Sequence, residues 1–348
     1  MFLQNKTRPY AARRSRALAC SVALACAGST ASLSSHAADV GLVPLGGLTD
    51  YLFVFTRGEI DLNWQSASKG YVGDIAVDGV QADERTSGTL PYAGTITTND
   101  TTLGAWQDIV DDNPGQAAGV TGETALITGL EADLANAFAT GNALAADLTY
   151  NDVDTISPLN TQNGTGEFFV IDVTGNMATS NAIEITGDAN DFFLFRWDDD
   201  GDLGNGFDGQ VKFQSGGGIN PLGDLGANNF VHFAGDINAS GGGDFSAYTN
   251  LQDELGEIAA IDGGDPVSGG GLFTGYWLTT GTPPAPGESS AMSNAIFVGG
   301  WYTEATKLSL TSGSSGVYVA PIPLPAALWL FGSGLAGLLA LSKRAKKG

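Results

Sequence analysis

The 348-residue sequence predicts a mostly β protein, built as a β-solenoid with one long helix packed along it. Between residues 38 and 320, short β-like runs are separated by clusters of Gly, Asn, Asp and Ser. One segment has the periodicity of a helix instead, and two of the β-like runs repeat at a fixed spacing. A β-sandwich is the alternative architecture, because such a fold can also carry a chance repeat.

The repeat lies in the segments FTGYWLT and FVGGWYT, which are 24 residues apart. Such a repeat is typical of solenoid rungs, in which Gly permits close turns and aromatic side chains stack between rungs. We therefore expect the matched positions to lie on adjacent rungs. The matched pairs are Phe273 and Phe297, Gly275 and Gly299, Trp277 and Trp301, and Thr279 and Thr303.

The helix is predicted from the segment ETALITGLEADLANAFATGNALAADL, of which about 20 residues have helical periodicity. Leu126, Leu130, Leu134 and Phe138 recur every four residues and form one apolar stripe. We expect this stripe to pack against a sheet as part of the core.

Residues 1–37 have the pattern of a secretory signal peptide. Basic residues precede the apolar stretch ALACSVALACAG, and small residues then lead to a predicted cleavage point near Ala37. Both cysteines, Cys20 and Cys26, lie in this segment. The mature chain would then contain no cysteine, which excludes disulfides, thiol catalysis and Cys/His zinc sites.

Residues 321–348 combine a proline motif, an uncharged apolar run and a basic end. The apolar run at 326–341 predicts a short transmembrane helix, which starts after the last of three closely spaced prolines. The lysines and arginine that follow favour the cytoplasmic side of the membrane.

This tail, PIPLPAALWLFGSGLAGLLALSKRAKKG, resembles the PEP-CTERM sorting signal in its VPLPA-type form, with Ile322 in place of the Val of that motif. The resemblance implies export in a Gram-negative bacterium, an inner-membrane intermediate and processing by an exosortase-like enzyme after signal peptidase. Processing is expected near Pro323, Leu324 and Pro325, and the body would then reach the cell surface or the extracellular matrix.

Removal of both ends leaves a strongly acidic body at 38–320. Five of the 15 basic residues lie in the first 37 positions and four in the tail, so six remain against 38 acidic residues, a formal charge of −32. Such a body repels nucleic acid, anionic lipid and anionic polysaccharide unless divalent cations bridge them. Nucleic acid is therefore excluded as a partner.

The body also resembles a family in the order of its elements. An early YLFVFTRGEIDLNWQSASKGYVGDIAVDG, the helix, GEFFVIDVTGNMATSNAIEITGDANDFFLFRW, FVHFAGDI and the repeated pair are similar to the choice-of-anchor A family. From the helix onwards, the body is similar to the ice-binding-like adhesin solenoid. That resemblance implies a right-handed, discontinuous β-helix with one long helix along its side. The sequence lacks the long array of regularly spaced Thr that a flat ice-matching face would show.

The segment RWDDDGDLGNGFDGQ is a candidate calcium loop. Asp198, Asp200 and Asp202 alternate, and Asp208 follows in a Gly-rich context, so that several hard oxygen ligands could surround one ion. The loop departs from an EF-hand at its sixth position, Leu203, and at its twelfth, Gly209. The alternative is a solvated acidic turn between strands.

Catalytic signatures are weak in this sequence. Of the two histidines, His36 leaves with the signal peptide or lies at the new terminus, and His232 lies in the strand-like run NFVHF. No Gly-x-Ser-x-Gly context supports a Ser-His-Asp site. Paired carboxylates of the glycosidase type remain open, since 38 acidic residues allow many pairs.

The predicted function is therefore that of an exported, non-enzymatic surface or matrix protein with a structural or adhesive role. Extracellular polysaccharide and neighbouring surface proteins are the expected partners. A polysaccharide-processing enzyme and an ice-binding protein are the alternatives.

The candidate calcium loop gives a first prediction. Without a cation, repulsion between its four carboxylates opposes an ordered turn, whereas calcium would turn the same groups into ligands. We expect millimolar calcium to raise the melting temperature of the purified body, and Asp200→Ala or Asp202→Ala to reduce that rise. An identical response of the wild type and both variants would identify general charge screening instead.

Overall fold

The computed structural model describes residues 39–40, 42–56, 61–62, 70–78, 91–99, 104–111, 117–198, 209–261, 267–281, 290–304, 307–311 and 313–321. The predicted signal peptide with Ala37, and the predicted sorting segment with Pro323, Leu324, Pro325 and the helix at 326–341, lie outside these residues. Within them, no helix is long and apolar enough to span a bilayer.

The described residues form short strands, numbered in chain order. The first twelve are β1 Asp39–Val40, β2 Val43–Pro44, β3 Phe53–Phe55, β4 Asp61–Leu62, β5 Gly70–Val72, β6 Ile75–Val77, β7 Tyr92–Thr98, β8 Ala117–Gly122, β9 Leu148–Asp152, β10 Leu159–Asn160, β11 Phe168–Asn176 and β12 Ala178–Thr179. The others are β13 Ala182–Gly187, β14 Phe192–Asp198, β15 Gln210–Gln214, β16 Gly217–Gly223, β17 Phe230–Ala234, β18 Asp236–Ser240, β19 Gly243–Asp244, β20 Ser268–Gly269, β21 Gly271–Thr279, β22 Ser290–Ser293, β23 Ala295–Thr303, β24 Lys307–Thr311 and β25 Ser315–Val317.

Helices are fewer than strands in the described part of the chain. The α-helices are α1 Gly104–Asp111, α2 Thr124–Asn142 and α3 Gln252–Ile261. Short 3₁₀ helices span Gly46–Asp50, Val153–Thr155, Ala227–Asn229 and Thr249–Leu251.

The strands stack in parallel on three faces. The first face has the order β9, β11, β14, β17, β21, β23, β3, β6, β7, β8. The second contains β10, β13, β16, β21, β23, β25, β5 and β7, where the long strands β21 and β23 bend from the second face into the first. The third face contains β12, β15 and β18, and β22 with β24 and β4 lies beside β18. This parallel stacking is that of a β-solenoid and excludes the antiparallel β-sandwich.

The strand order is discontinuous along the chain. Early strand β3 pairs with late strand β23, with Phe53 opposite Trp301, and the early rungs continue the stack from that point. Each coil passes from the first face to the third, then to the second, and back to the first, as β14, β15, β16 and β17 show. The predicted discontinuous solenoid is therefore confirmed.

The predicted repeat of 24 residues is also confirmed. All nine residues of β21 pair in register with those of β23, so Trp277 lies opposite Trp301 and Thr279 opposite Thr303. Gly275 and Gly299 have φ values of 94° and 134°, and a Cβ at Gly299 would lie 2.2 Å from the Gly275 carbonyl oxygen. Glycine is thus required at this bend because the backbones of adjacent rungs meet there.

In-register stacking fills the interior of the solenoid. One column of inward side chains crosses the first face from rung to rung, and the side chains in it are all fully buried. The column consists of Ile171, Phe195, His232, Trp277, Trp301, Phe53, Ile75 and Ile96.

The predicted long helix covers the outer side of the first face. It buries Ile127, Leu130, Leu134 and Ala137 against outward side chains of that face. The predicted spacing of four residues was only partly right, since a helix turns once in 3.6 residues and a stripe must alternate steps of three and four. Leu126 and Phe138 accordingly lie half-buried at the edge of the stripe.

A second helix, which the sequence analysis did not predict, covers part of the second face. Leu255 and Ile258 of α3 pack with Leu272, Ile296 and Val317. Helices thus cover apolar outward side chains on two of the three faces of the solenoid.

Arg196 fastens α2 to the sheet. Its Nε and Nη2 donate to Oδ1 and Oδ2 of Asp172 at 2.6 and 3.0 Å, across adjacent strands β14 and β11. Its Nη1 donates to the carbonyl oxygens of Gly141, Asn142 and Leu144 at 3.2, 3.3 and 2.8 Å. One guanidinium therefore neutralises a carboxylate and satisfies carbonyls at the C-terminal end of the helix, which carries partial negative charge.

Replacing Arg196 by Met is expected to lower the free energy of unfolding by about 3–5 kcal/mol, because Asp172 loses its partner and the helix end loses its donor. Denaturant unfolding measures this loss. The double variant Arg196→Met with Asp172→Leu should recover part of the stability, since no carboxylate is then left unpaired. A double variant no more stable than Arg196→Met would show that the ion pair contributes little beyond the helix contacts.

Candidate functional site

The outward side chains of β15 and β18 on the third face form an array of polar groups, and all of them except the buried Asp236 are partly exposed to solvent. We call this array the polar face, defined as the outward side chains of β15 and β18: Gln210, Lys212, Gln214, Asp236, Asn238 and Ser240. Their neighbours along each strand, Val211, Phe213, Ile237 and Ala239, point inward and are buried. The clusters beneath α2 and α3 include no described residue of β12, β15 or β18. The polar face is therefore a candidate binding surface.

Cross-strand register places the polar side chains in short rows. Gln210 lies opposite Asp236, Lys212 opposite Asn238 and Gln214 opposite Ser240. Within each row, the two side chains stand on strands about 4.8 Å apart, the ordinary separation of hydrogen-bonded strands. The face thus offers hydrogen-bonding groups at a regular spacing on a rigid support.

Two hydrogen bonds hold the outer rows in place. Gln210 Nε2 donates to Asp236 Oδ2 at 2.9 Å, and Gln214 Nε2 donates to Ser240 Oγ at 3.3 Å. Asp236 also accepts from the backbone N–H of Ile237 at 2.8 Å. Because these side chains are ordered before any ligand arrives, binding to them loses little side-chain entropy.

Lys212 lies in the middle row, half-buried between Ala178 and Asn238. Its backbone N–H donates to the Met177 carbonyl at 3.0 Å, but within the described part of the chain its ammonium group takes part in no hydrogen bond or ion pair. A lysine without a partner is notable in so acidic a body, because many carboxylates are available to pair with it.

Four threonines at the ends of first-face strands are buried and form no outward array. Thr56, Thr98, Thr279 and Thr303 lie at the ends of first-face strands and are at most 3% exposed. Thr279 Oγ1 accepts a hydrogen bond from Trp301 Nε1 at 3.0 Å. These four side chains therefore do not form the regular threonine array that a flat ice-matching face would show.

His232 is a structural side chain of the interior column, as its strand context suggested. Its ring stacks on Trp277 at a centroid distance of 4.0 Å, and Nε2 lies 3.0 Å from the carbonyl oxygen of Thr274. Nδ1 accepts from Trp197 Nε1 at 3.4 Å. Burial, only partly offset by the contact with Thr274, lowers the pKa of His232 to about 3, so the ring is neutral at physiological pH.

The candidate calcium loop is only partly described. Asp198 ends β14 and is 1% exposed, whereas Asp200, Asp202 and Asp208 lie outside the described residues. Elsewhere in the described ranges, no group of three or more metal-ligating side chains could hold an ion. The calcium site remains a prediction.

A polar cleft of about 470 Å³ lies at the junction of the first and second faces. Asp224, Asn228, Asp253, Glu254 and Val319 are among the residues that line it. Burial raises the pKa of Glu254, and the charges of Asp253 and Glu257 raise it further. These carboxylates are the groups that a carboxylate-based enzyme would use, if the alternative of a polysaccharide-processing enzyme were correct.

No family model matches the chain, and no curated protein matches it. Its resemblance to PEP-CTERM and choice-of-anchor A proteins therefore remains a prediction.

The structure is similar to solved structures of ice-binding proteins. An ice-binding protein from an Arctic yeast is 14% identical, and the match covers 81% of this chain and 97% of that chain at a TM-score of 0.44. The DUF3494 domain of a Shewanella frigidimarina ice-binding protein is 13% identical, with coverage of 82% and 98% and a TM-score of 0.43. An ice-binding protein from an Antarctic Flavobacteriaceae bacterium is 13% identical over 84% of this chain and 52% of that chain, with a TM-score of 0.44.

The sequence analysis did not identify the polar face. The run QVKFQ at 210–214 alternates polar and apolar residues, as a strand with one buried side does. The same alternation in DINAS marks β18, but only the register shows that the two runs lie side by side. Alternating short strands without a covering helix were the available signal.

The buried His232 predicts a pH dependence of stability. The unfolded chain takes up a proton near pH 6.5, whereas the folded chain does so only near pH 3, so the histidine stabilises the fold above pH 6.5 and this contribution is lost as the pH falls towards 3. Between pH 6 and 4, replacing His232 by Gln should reduce the slope of unfolding free energy against pH by about 1.4 kcal/mol per unit. Denaturant titrations across this range measure both slopes, and carboxylates common to both proteins cancel. Equal slopes would contradict the assignment.

Proposed function

We propose that this chain is an exported, non-enzymatic binding protein, that the polar face is its binding surface, and that its ligand is ice. The observation that carries the proposal is the polar face itself, in which hydrogen-bonding side chains stand in regularly spaced rows on the third face of the solenoid. A regular array of donors and acceptors complements a ligand whose own hydrogen-bonding groups repeat.

The charge of the body supports a neutral ligand. Its formal charge of −32 opposes approach to anionic polymers and anionic lipid. Ice is neutral and exposes water molecules at regular spacing, each able to donate and accept hydrogen bonds. The polar face offers neutral side chains that likewise both donate and accept hydrogen bonds: Gln210, Gln214, Asn238 and Ser240.

A hydroxyl-rich polysaccharide is the second candidate ligand, and Lys212 is the observation that favours it. A charged group bound to a sugar hydroxyl forms a stronger hydrogen bond than a neutral one. Adhesion to such a polymer is also the role that the predicted sorting signal implies, with Ala37 and Pro323–Pro325 as the proposed processing points. Lys212→Met should weaken binding to polysaccharide and leave binding to ice intact.

The proposal predicts that one bulky substitution on the polar face abolishes binding. Asn238→Tyr places a large ring on the flat array, whereas Asn136→Tyr makes the same change on the exposed side of α2. Thermal hysteresis and the shape of single ice crystals are measured for both variants and for the wild type. We expect Asn238→Tyr to lose activity and Asn136→Tyr to keep it, with equal melting temperatures.

Absence of thermal hysteresis and of ice-crystal shaping in the wild type would refute ice as the ligand. The same variants are then compared for retention on insoluble neutral polysaccharides, where selective loss in Asn238→Tyr would favour the second candidate. Release of soluble sugar that stops in Asp253→Asn or Glu254→Gln would instead establish the enzyme alternative.

A further inference from the structure

The last described residues form a strap that is fastened to the body. The strap comprises residues 318–321, which follow β25. The Tyr318 backbone N–H donates to the Val72 carbonyl at 2.8 Å, and its hydroxyl donates to the Thr49 carbonyl. Val319 accepts from the Tyr276 hydroxyl at 2.7 Å, and Ala320 accepts from Asn228 Nδ2 at 3.2 Å.

The partners of the strap place it at the corner between the first and second faces. Asn228 lies in the 3₁₀ helix that leads from β16 on the second face to β17 on the first. Val72 belongs to β5 on the second face, and Tyr276 points outward on the first. The strap therefore follows the edge at which these two faces meet.

The polar face lies on the opposite side of this corner. Because each coil passes from the first face to the third and then to the second, the third face is the side of the three-sided coil that does not touch this edge. The last described residue, Pro321, accordingly lies remote from Asn238 and the rest of the polar face.

Little chain separates this exit from the predicted membrane helix. Residues 322–325, two of them proline, lie between the strap and residue 326. Four residues span at most about 14 Å when fully extended. A body of this size has a radius of gyration of roughly 19 Å. A linker this short therefore cannot reach around the body to its other side.

From these observations we infer that the strap orients the anchored body, with the exit corner towards the surface of attachment and the polar face towards the surrounding medium. This inference rests on the proposed function, which makes the polar face the binding surface. It also rests on the membrane helix predicted from the sequence, which supplies the surface of attachment. Attachment through the new terminus after cleavage near the prolines would give the same orientation, because that terminus would lie within a few residues of the strap.

Single-cysteine labelling tests the orientation without using any ligand. The mature chain, residues 38–348, has no cysteine, so Asp224→Cys marks the exit corner and Asn238→Cys marks the polar face. Each variant is prepared in neutral phosphatidylcholine vesicles and in detergent, and a bulky, membrane-impermeant maleimide measures the labelling rate. We expect anchoring to slow labelling at position 224 several-fold and to leave position 238 unchanged.

Loosening the strap provides the matched control. Tyr276→Phe with Asn228→Ala removes the side-chain donors to Val319 and Ala320, and should reduce the difference between the two labelling positions. Retention of the full difference would overturn the role of the strap. Equal slowing at both positions, faster labelling at 224 than at 238, or failure of the chain to float with the vesicles would overturn the orientation itself. Loss of ligand binding alone would refute the proposed function and leave this pattern unchanged.

Discussion

In-register stacking between rungs is the constraint on which the rest of this structure depends. A parallel rung has no partner of its own, and it can bury its inward side chains only against those directly above and below. The column through His232, Trp277 and Trp301 satisfies this requirement with large flat rings. A histidine can occupy it only as a neutral ring whose two nitrogens are both hydrogen-bonded, because an ionised group there would be stranded in the core. The same requirement fixes glycine at 275 and 299, where the backbones come closest.

The discontinuous strand order creates a junction that stacking alone does not secure. Late strand β23 and early strand β3 meet in the middle of the first face, although about 250 residues separate them in the chain. The α2 helix lies across both sides of this junction, since its cluster includes Tyr302 and Val54 as well as Leu194. Arg196 then ties the end of that helix to the rung of β14. The α2 helix and the Arg196 contacts thus stabilise the junction between strands that are far apart in the sequence.

Local patterns predicted the parts of the fold that local chemistry determines. The helical period identified α2, and the 24-residue repeat identified the register of β21 with β23. The same offset joins Phe168–Phe169 to Phe192–Phe193 and was a signal in the sequence that was missed. Other rungs are invisible to such a search, because β14 and β17 are offset by 37 residues and β15 and β18 by 26. The polar face depends on one of these irregular offsets, so sequence could identify its strands but not their partnership.

The distribution of helices explains why one face remains for binding. Many outward positions on the first two faces are apolar and would be insoluble if exposed, and α2 and α3 cover these positions. Outward positions of β15 and β18 are polar, and four of them pair with each other, Gln210 with Asp236 and Gln214 with Ser240, while no described helix covers them. The last described residues run along the corner between the two covered faces, where Asn228 and Tyr276 donate to the strap, and so disturb neither arrangement. Solubility of the covered faces and availability of the polar one are therefore two consequences of a single pattern of side chains along the coil.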